Sequence, residues 1–265
     1  MKQSGLPWMP TLDDLVEHSI ALLREHEPVG GYYGCFSGGK DSIVIKELAR
    51  MAGVDVTWHY NITTIDPPEL FRFIKREHPD VVRVPPRHGA FFRQMERRGF
   101  PTRRGAWCCE KLKEEGAPRG STLILGVRAD ESTARAARWS EVHHDERFGT
   151  TKILPAFTWA ADEIWTFIRG QDLVYCGLYD EGWHRLGCVG CPKARPRHRR
   201  RELARWPAYE RRWMLAFERL WTTRPATWGI RQRFSGWEDL WNWWLSDRPL
   251  PPPRDGGPHG QSVLF

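Results

Sequence analysis

No stretch constrains the fold of this chain more than Tyr33-Gly-Cys-Phe-Ser-Gly-Gly-Lys-Asp-Ser42, which falls where an apolar strand gives way to an amphipathic helix. In an α/β protein that junction holds phosphate, because the helix aims its positive dipole end and its unpaired N–H groups at the loop. Gly38 and Gly39 let the backbone turn tightly and bring its amides close to an oxyanion. Lys40 adds a mobile point charge, and Ser37 and Ser42 add hydroxyl donors. Residues 34–40 also fit the G-x-x-x-x-G-K core of a Walker A loop. That loop then needs a Ser or Thr to coordinate magnesium, and Asp41 stands there instead, so the Walker reading fails at its metal position.

Periodicity sets the frame around the loop. An amphipathic helix is expected over 11–26, with Leu12, Leu15, Val16, Ile20 and Leu23 on one face. Strands are expected at 31–36, 54–60, 81–84, 122–126 and 152–155, with helical patterns between them. This alternation implies an α/β fold with a doubly wound, mostly parallel sheet, whose ligand belongs at the carboxyl ends of the strands. After Pro192 the chain turns Arg- and Trp-rich and helical, giving a C-terminal helical extension. The expected organisation is a nucleotide and cysteine domain over 1–192, the extension over 193–248, and an extended or disordered Pro/Gly-rich tail over 249–265.

The six cysteines form a second constellation. Cys108 and Cys109 are adjacent, and Cys188 and Cys191 make a C-x-x-C farther along. Residues 1–10 have no apolar core that would read as a signal peptide, and no run approaches the length of a membrane span. A reducing cytoplasmic setting without a membrane partner is therefore expected, where clustered cysteines bind metal or do redox chemistry more often than they form disulfides. Zinc, an iron–sulfur cluster and unliganded thiols are the open readings. Adjacent Cα atoms lie only about 3.8 Å apart, so turning both thiolates onto one tetrahedral ion strains the backbone, whereas a 4Fe-4S cluster offers separate irons. Cys35, in the apolar strand, reads as a buried small hydrophobe, and Cys176 as a candidate persulfide carrier or alternative ligand. His143 and His144 read as surface loop.

Several motifs, in order, carry a family resemblance. Ser37 to Ser42 resembles the SGGKDS loop of the ATP pyrophosphatase (PP-loop) superfamily, whose members cleave ATP between the α and β phosphates to adenylate an oxygen. The CC, long spacer, CxxC pattern is similar to that of the assimilatory adenylylsulfate reductases within the phosphoadenosine phosphosulfate (PAPS) reductase family. Leu125-Gly-Val-Arg-Ala-Asp-Glu-Ser-Thr-Ala-Arg135 resembles that family's G-x-R-x-x-E-S-x-x-R element. Cys108-Cys-Glu-Lys-Leu-Lys113 resembles its cysteine-pair helix, and Leu178-Tyr-Asp-Glu-Gly182 with Gly187-Cys-Val-Gly-Cys-Pro192 the approach to its second pair. The resemblance spans about residues 30–192. It implies an adenine nucleotide alpha-hydrolase-like fold and a nucleotide held by Ser37, Gly38, Gly39, Lys40, Asp41, Ser42, Arg128, Glu131 and Arg135. It also implies a 4Fe-4S cluster on Cys108, Cys109, Cys188 and Cys191, with Lys113 between cluster and substrate. Thr63-Thr-Ile-Asp-Pro-Pro-Glu69 is expected at the adenosine side of the site, although it departs from the reductases' D-T-G version.

Two departures separate the chain from the reductases. It keeps Lys40, which their degenerate loop lacks, and it has no cysteine after Cys191, where they carry a nucleophilic cysteine in an E-C-G-[IL]-H motif. The combination resembles thiolating enzymes: tRNA thiolation enzymes and the ATP pyrophosphatase component of DNA phosphorothioation systems. The expected activity is ATP cleavage with magnesium, Asp41 being the nearest candidate to hold that ion, followed by sulfur transfer to nucleic acid. A cysteine desulfurase would donate the sulfur, and other modification-system subunits are possible partners. Alternatives are an adenylylsulfate or PAPS reductase and a non-catalytic nucleotide-binding subunit. The charge, 40 Lys and Arg against 33 Asp and Glu, favours polyanions. The run Lys193-Ala-Arg-Pro-Arg-His-Arg-Arg-Arg201 is a candidate phosphate grip. Trp206, Trp213 and Trp221 read either as base-stacking platforms or as a helix face packed on the sheet.

Overall fold

The computed structural model describes residues 10–246 and 248–254. In chain order the elements are α1 (Leu12–Glu25), β1 (Tyr32–Cys35), α2 (Lys40–Ala52), β2 (Val56–Asn61), α3 (Pro68–Glu77), β3 (Val82–Val84), α4 (Phe91–Arg98) and α5 (Trp107–Cys109). There follow β4 (Thr122–Ile124), α6 (Thr133–Arg138), β5 (Val142–Asp145), β6 (Thr150–Ile153), α7 (Ala161–Gly170), α8 (Pro196–Arg205), α9 (Pro207–Thr223) and α10 (Trp237–Trp244). The chain divides into two compact units, one of Met1–Asn61, Pro68–Val84 and Gly116–Leu186, the other of Ile62–Pro67, Pro85–Glu115 and Gly187–Phe265. The division differs from the expected boundary near 192: both cysteine pairs belong with the C-terminal helices and not with the sheet.

The first unit is the α/β one. Its six strands run β3-β2-β1-β4-β6-β5, all neighbours parallel except β5 against β6. The chain leaves β1 towards β2 and β3 on one side, then returns to β4 on the other. β1 and β4 therefore flank the switch point at which an open sheet binds its ligand. α1 starts where Thr11 and Asp14 cap each other, the Asp14 N–H donating to Thr11 Oγ1 at 3.2 Å and the Thr11 N–H to Asp14 Oδ2 at 2.7 Å. It buries Leu15, Leu22 and Leu23 and packs on α2, as does α7. α2 stops at Gly53, whose φ of 71° is the left-handed cap that glycine tolerates. β5 corrects the loop expected around His143 and His144. It is an antiparallel edge strand, and its polar Val-His-His-Asp sequence carries no alternation to reveal it.

The second unit is built on aromatic rings. Trp213 of α9 is fully buried, with ring centres 4.9 Å from Phe91 and 4.6 Å from Trp244. Phe217 packs on Phe100 at 5.4 Å and Trp241 at 5.3 Å. Trp206 and Trp213 are thus buried, Trp213 within the core of the helical unit, and neither is an exposed stacking platform, while Trp221 is half-buried with the Arg231 guanidinium 5.2 Å from its ring centre. Part of the expected tail is held as well. The Pro249 carbonyl accepts from Trp243 Nε1 at 3.1 Å and the Gln232 carbonyl from the Arg254 N–H at 2.8 Å, while 255–265 lie outside the described residues. No helix among the described residues is long and apolar enough to cross a membrane.

Candidate functional site

The loop after β1 is shaped by its own hydroxyls. Ser42 Oγ donates to the Gly39 carbonyl at 2.8 Å, and the Gly39 N–H donates to Ser37 Oγ at 3.3 Å. Gly38 has φ of 72°, and a Cβ there would lie 2.7 Å from the Ile74 side chain, so the turn needs glycine for both backbone and space. No side chain caps the start of α2. The Lys40 N–H instead donates to the Tyr179 hydroxyl at 2.9 Å, a role for Tyr179 that nothing in its own sequence neighbourhood signalled.

Lys40, Asp41 and Arg128 form an ion triad. Lys40 Nζ is 2.8 Å from Asp41 Oδ2, and Arg128 Nε is 2.6 Å from Asp41 Oδ1. Arg128, which follows β4, is buried and also donates from Nη1 to the Trp159 carbonyl at 3.0 Å. Asp130 meets Arg128 at 3.2 Å, and Glu131 pairs with Arg135, whose guanidinium burial pushes downward. The structure thus brings Ser37 to Ser42, Arg128, Glu131 and Arg135 together beside the switch point. Asp41, Asp130 and Glu131 are each paired with a cation here, and the Asp41 carboxylate orients both Lys40 and Arg128.

The four paired cysteines lie in the helical unit, and none is in a disulfide. Cys108 and Cys109 end a short helical turn that widens at once into a π turn, Glu110–Glu114, which carries Lys113. The Cys108 thiol donates to Cys109, which raises Cys108 and lowers Cys109. Burial pushes Cys188 up to about 12, against the pull of Lys113 and a Thr63 hydrogen bond. Lys113 in turn is held charged, first by Cys188 beside it. No three His, Cys, Asp or Glu side chains among the described residues are grouped to hold one metal ion. A tetrahedral ion would need its sulfurs within about 4 Å of one another, whereas a cluster takes each thiolate on its own iron. Four unbridged thiols in one unit, three of them (Cys109, Cys188 and Cys191) interacting electrostatically with the Lys113 ammonium, fit the charge of such a cluster.

Other expected residues go elsewhere. Cys176 belongs to the α/β unit and is 2% exposed, and burial pushes its thiol up. Cys35 lies in β1, pushed up to about 12 by burial. Residues 62–67 belong to the helical unit, where the Ile65 carbonyl accepts from the Val189 N–H at 2.8 Å and Thr63 meets Cys188. That stretch braces the C-x-x-C loop. Arg199 is 1% exposed and donates into backbone carbonyls, so it cannot grip phosphate, while Arg195, Arg197 and Arg200 are exposed.

The profile of the phosphoadenosine phosphosulfate reductase domain matches residues 32–194. An uncharacterised protein of Methanocaldococcus jannaschii is 30% identical over 167 residues, 60% of this chain and 41% of that protein. An adenosine 5'-phosphosulfate reductase of Staphylococcus epidermidis is 26% identical over 175 residues, 60% of this chain and 69% of that one. Among solved structures, the PAPS reductase of Candida auris in a phosphate complex has the same fold, with a TM-score of 0.50 at 17% identity over 69% of this chain and 98% of its own. The first relatives are much longer than their shared segment, which covers 41% and 35% of the two Methanocaldococcus proteins.

Proposed function

Because the chain belongs to the phosphoadenosine phosphosulfate reductase domain family, we propose that it is an adenine-nucleotide enzyme of sulfur chemistry that cleaves ATP at the α phosphate and supports sulfur transfer to nucleic acid. The single observation that carries the reading is the triad of Lys40, Asp41 and Arg128 at the mouth of the β1 loop. A polyphosphate carries more negative charge than one carboxylate, so it draws Lys40, on its flexible stem, away from Asp41. Arg128, pinned also by the Trp159 carbonyl, stays in place. Lys40 and the α2 amides after its own, which Tyr179 takes, then face the charge that develops on departing pyrophosphate. Cys108, Cys109, Cys188 and Cys191 are the residues that would hold a 4Fe-4S cluster, which when bound supplies sulfide and a one-electron store. Support for a nucleic-acid acceptor is the partition of charge: the helical unit has 23 Lys and Arg against 12 Asp and Glu, net +11, and the α/β unit 17 against 21, net −4.

The second reading, reduction of an adenylylated sulfate, is favoured by relatives named as adenosine 5'-phosphosulfate reductases. One experiment separates the two. Purified anaerobically, the protein should release pyrophosphate from ATP, and Lys40→Ala should lower that rate by about a hundredfold or more while leaving the iron content unchanged. Sulfite released from adenylylsulfate with a thiol reductant, with no pyrophosphate from ATP, would put the reductase in its place. Nucleotide binding with neither product would leave a binding subunit.

A further inference from the structure

The backbone around the second cysteine pair is anchored residue by residue, and every anchor comes from the helical unit. The Val189 N–H donates to the Ile65 carbonyl at 2.8 Å, and the Val189 carbonyl accepts from Trp213 Nε1 at 3.2 Å. The Gly190 N–H donates to Glu202 Oε2 at 2.9 Å. Gly190 has φ of 75°, and a Cβ on it would stand 2.5 Å from Trp213 Nε1, so the loop is moulded directly on that indole. Beyond it a single side chain collects the carbonyls. Arg199 donates from Nε to Cys191 at 3.2 Å, from Nη2 to Pro192 at 2.8 Å and Ala194 at 3.1 Å, and from Nη1 to Trp244. Its guanidinium lies 4.5 Å from the centre of the Trp244 ring. Only a planar fork with five N–H groups can serve four carbonyls at once, and a lysine ammonium has three donors and no plane.

We propose that Arg199 is a positioning residue that pre-forms the Cys188–Cys191 loop in the metal-free chain, so that two of the four thiols are presented before any cluster arrives. The densest part of the basic run is thus divided by burial: Arg199 holds the ligand loop, while Arg197 and Arg200 face solvent. Naming the loop a ligand loop rests on the cluster reading above, whereas its ordering by Arg199 does not.

The test uses the full metal-free chain, alkylated with iodoacetamide and read cysteine by cysteine by mass spectrometry. Arg199→Lys and Arg199→Gln should speed labelling of Cys191 and Cys188 by about tenfold, because the buried charged hydrogen bonds that hold the loop closed are lost. Cys35, in β1, should keep its slow rate, and Arg200→Gln should match the wild type. After iron and sulfide are added, Arg199→Lys should lose iron to a chelator faster and show a shifted midpoint potential, a change that loss of fold alone would not produce. Equal Cys191 and Cys188 rates in wild type and Arg199→Lys would overturn the proposal. Should the Arg199 variants also expose Cys35, the labelling of Arg199→Lys is repeated at a lower temperature at which Cys35 keeps its wild-type rate: faster labelling confined to Cys188 and Cys191 supports pre-formation, and no change there overturns it. A wild type that takes up no iron yet shows the labelling difference would uphold the role of Arg199 and remove the cluster.

Discussion

Asp41 is the residue on which the phosphate loop balances, since one carboxylate orients both Lys40 and Arg128. Asp41→Asn should lower stability by about 3 kcal/mol, the cost of leaving a buried cation unpartnered. Inorganic pyrophosphate should then raise the melting temperature of the variant more than that of the wild type, because the anion replaces the missing charge, as differential scanning fluorimetry would register. A second residue carries a pH dependence. His78 lies against Phe36 and Phe73, its Nε2 is buried without a hydrogen-bond partner, and its Nδ1 is 3.3 Å from Lys46 Nζ. Burial first, and then Lys46, push it down from 6.5 to about 4, against Asp80 and Glu77. The unfolded chain therefore takes up the proton first, so stability is complete above pH 6.5 and is lost as pH falls towards 4. Between pH 7 and 4.5 the wild type should lose on the order of 2 kcal/mol more than His78→Phe in urea unfolding.

At the scale of elements, the strands after which the loops of the site begin were legible because apolar runs bounded by turn residues mark them: β1 and β4 lie inside their expected spans. β5 was not, since an edge strand needs no apolar face. The π turn that carries Lys113 has no sequence signature either. α9 shows how little spacing alone decides. Its tryptophans were read at helical period, but whether an indole stacks on a base or fills a core depends on what stands opposite, here Phe91 and Trp244. Trp213→Ala should cost about 3–5 kcal/mol, as a cavity opened in that aromatic core, whereas Leu215→Ala, one of the exposed residues of the same helix, should cost under about 0.5 kcal/mol. Denaturant midpoints and near-UV circular dichroism would check both.

For the whole molecule, the contrast between a helical unit of net +11 and an α/β unit of net −4 directs any polyanionic partner to the helical unit. Replacing Arg195, Arg197 and Arg200 with Ala should weaken nucleic-acid binding across sequences and flatten its salt slope by about one for each phosphate no longer neutralised, as fluorescence anisotropy at stepped salt would show. ATP binding should survive. A triple variant with unchanged affinity and slope would turn the surface towards a protein partner. The loop after β1 and the sheet around it were legible in the order of residues alone. The loop's chemistry is contiguous in the chain, so a turn of glycines before a helix has few ways to fold, and the βα alternation permits few sheets. Folding in three dimensions was needed to reveal that Asp41 is shared between two cations, that residues 62–67 brace the C-x-x-C loop, and that Arg199 is a clamp while Arg200 is surface. These roles depend on which distant segments meet, and neighbours in a charged run differ in burial by one step around a helix, which composition and spacing do not record.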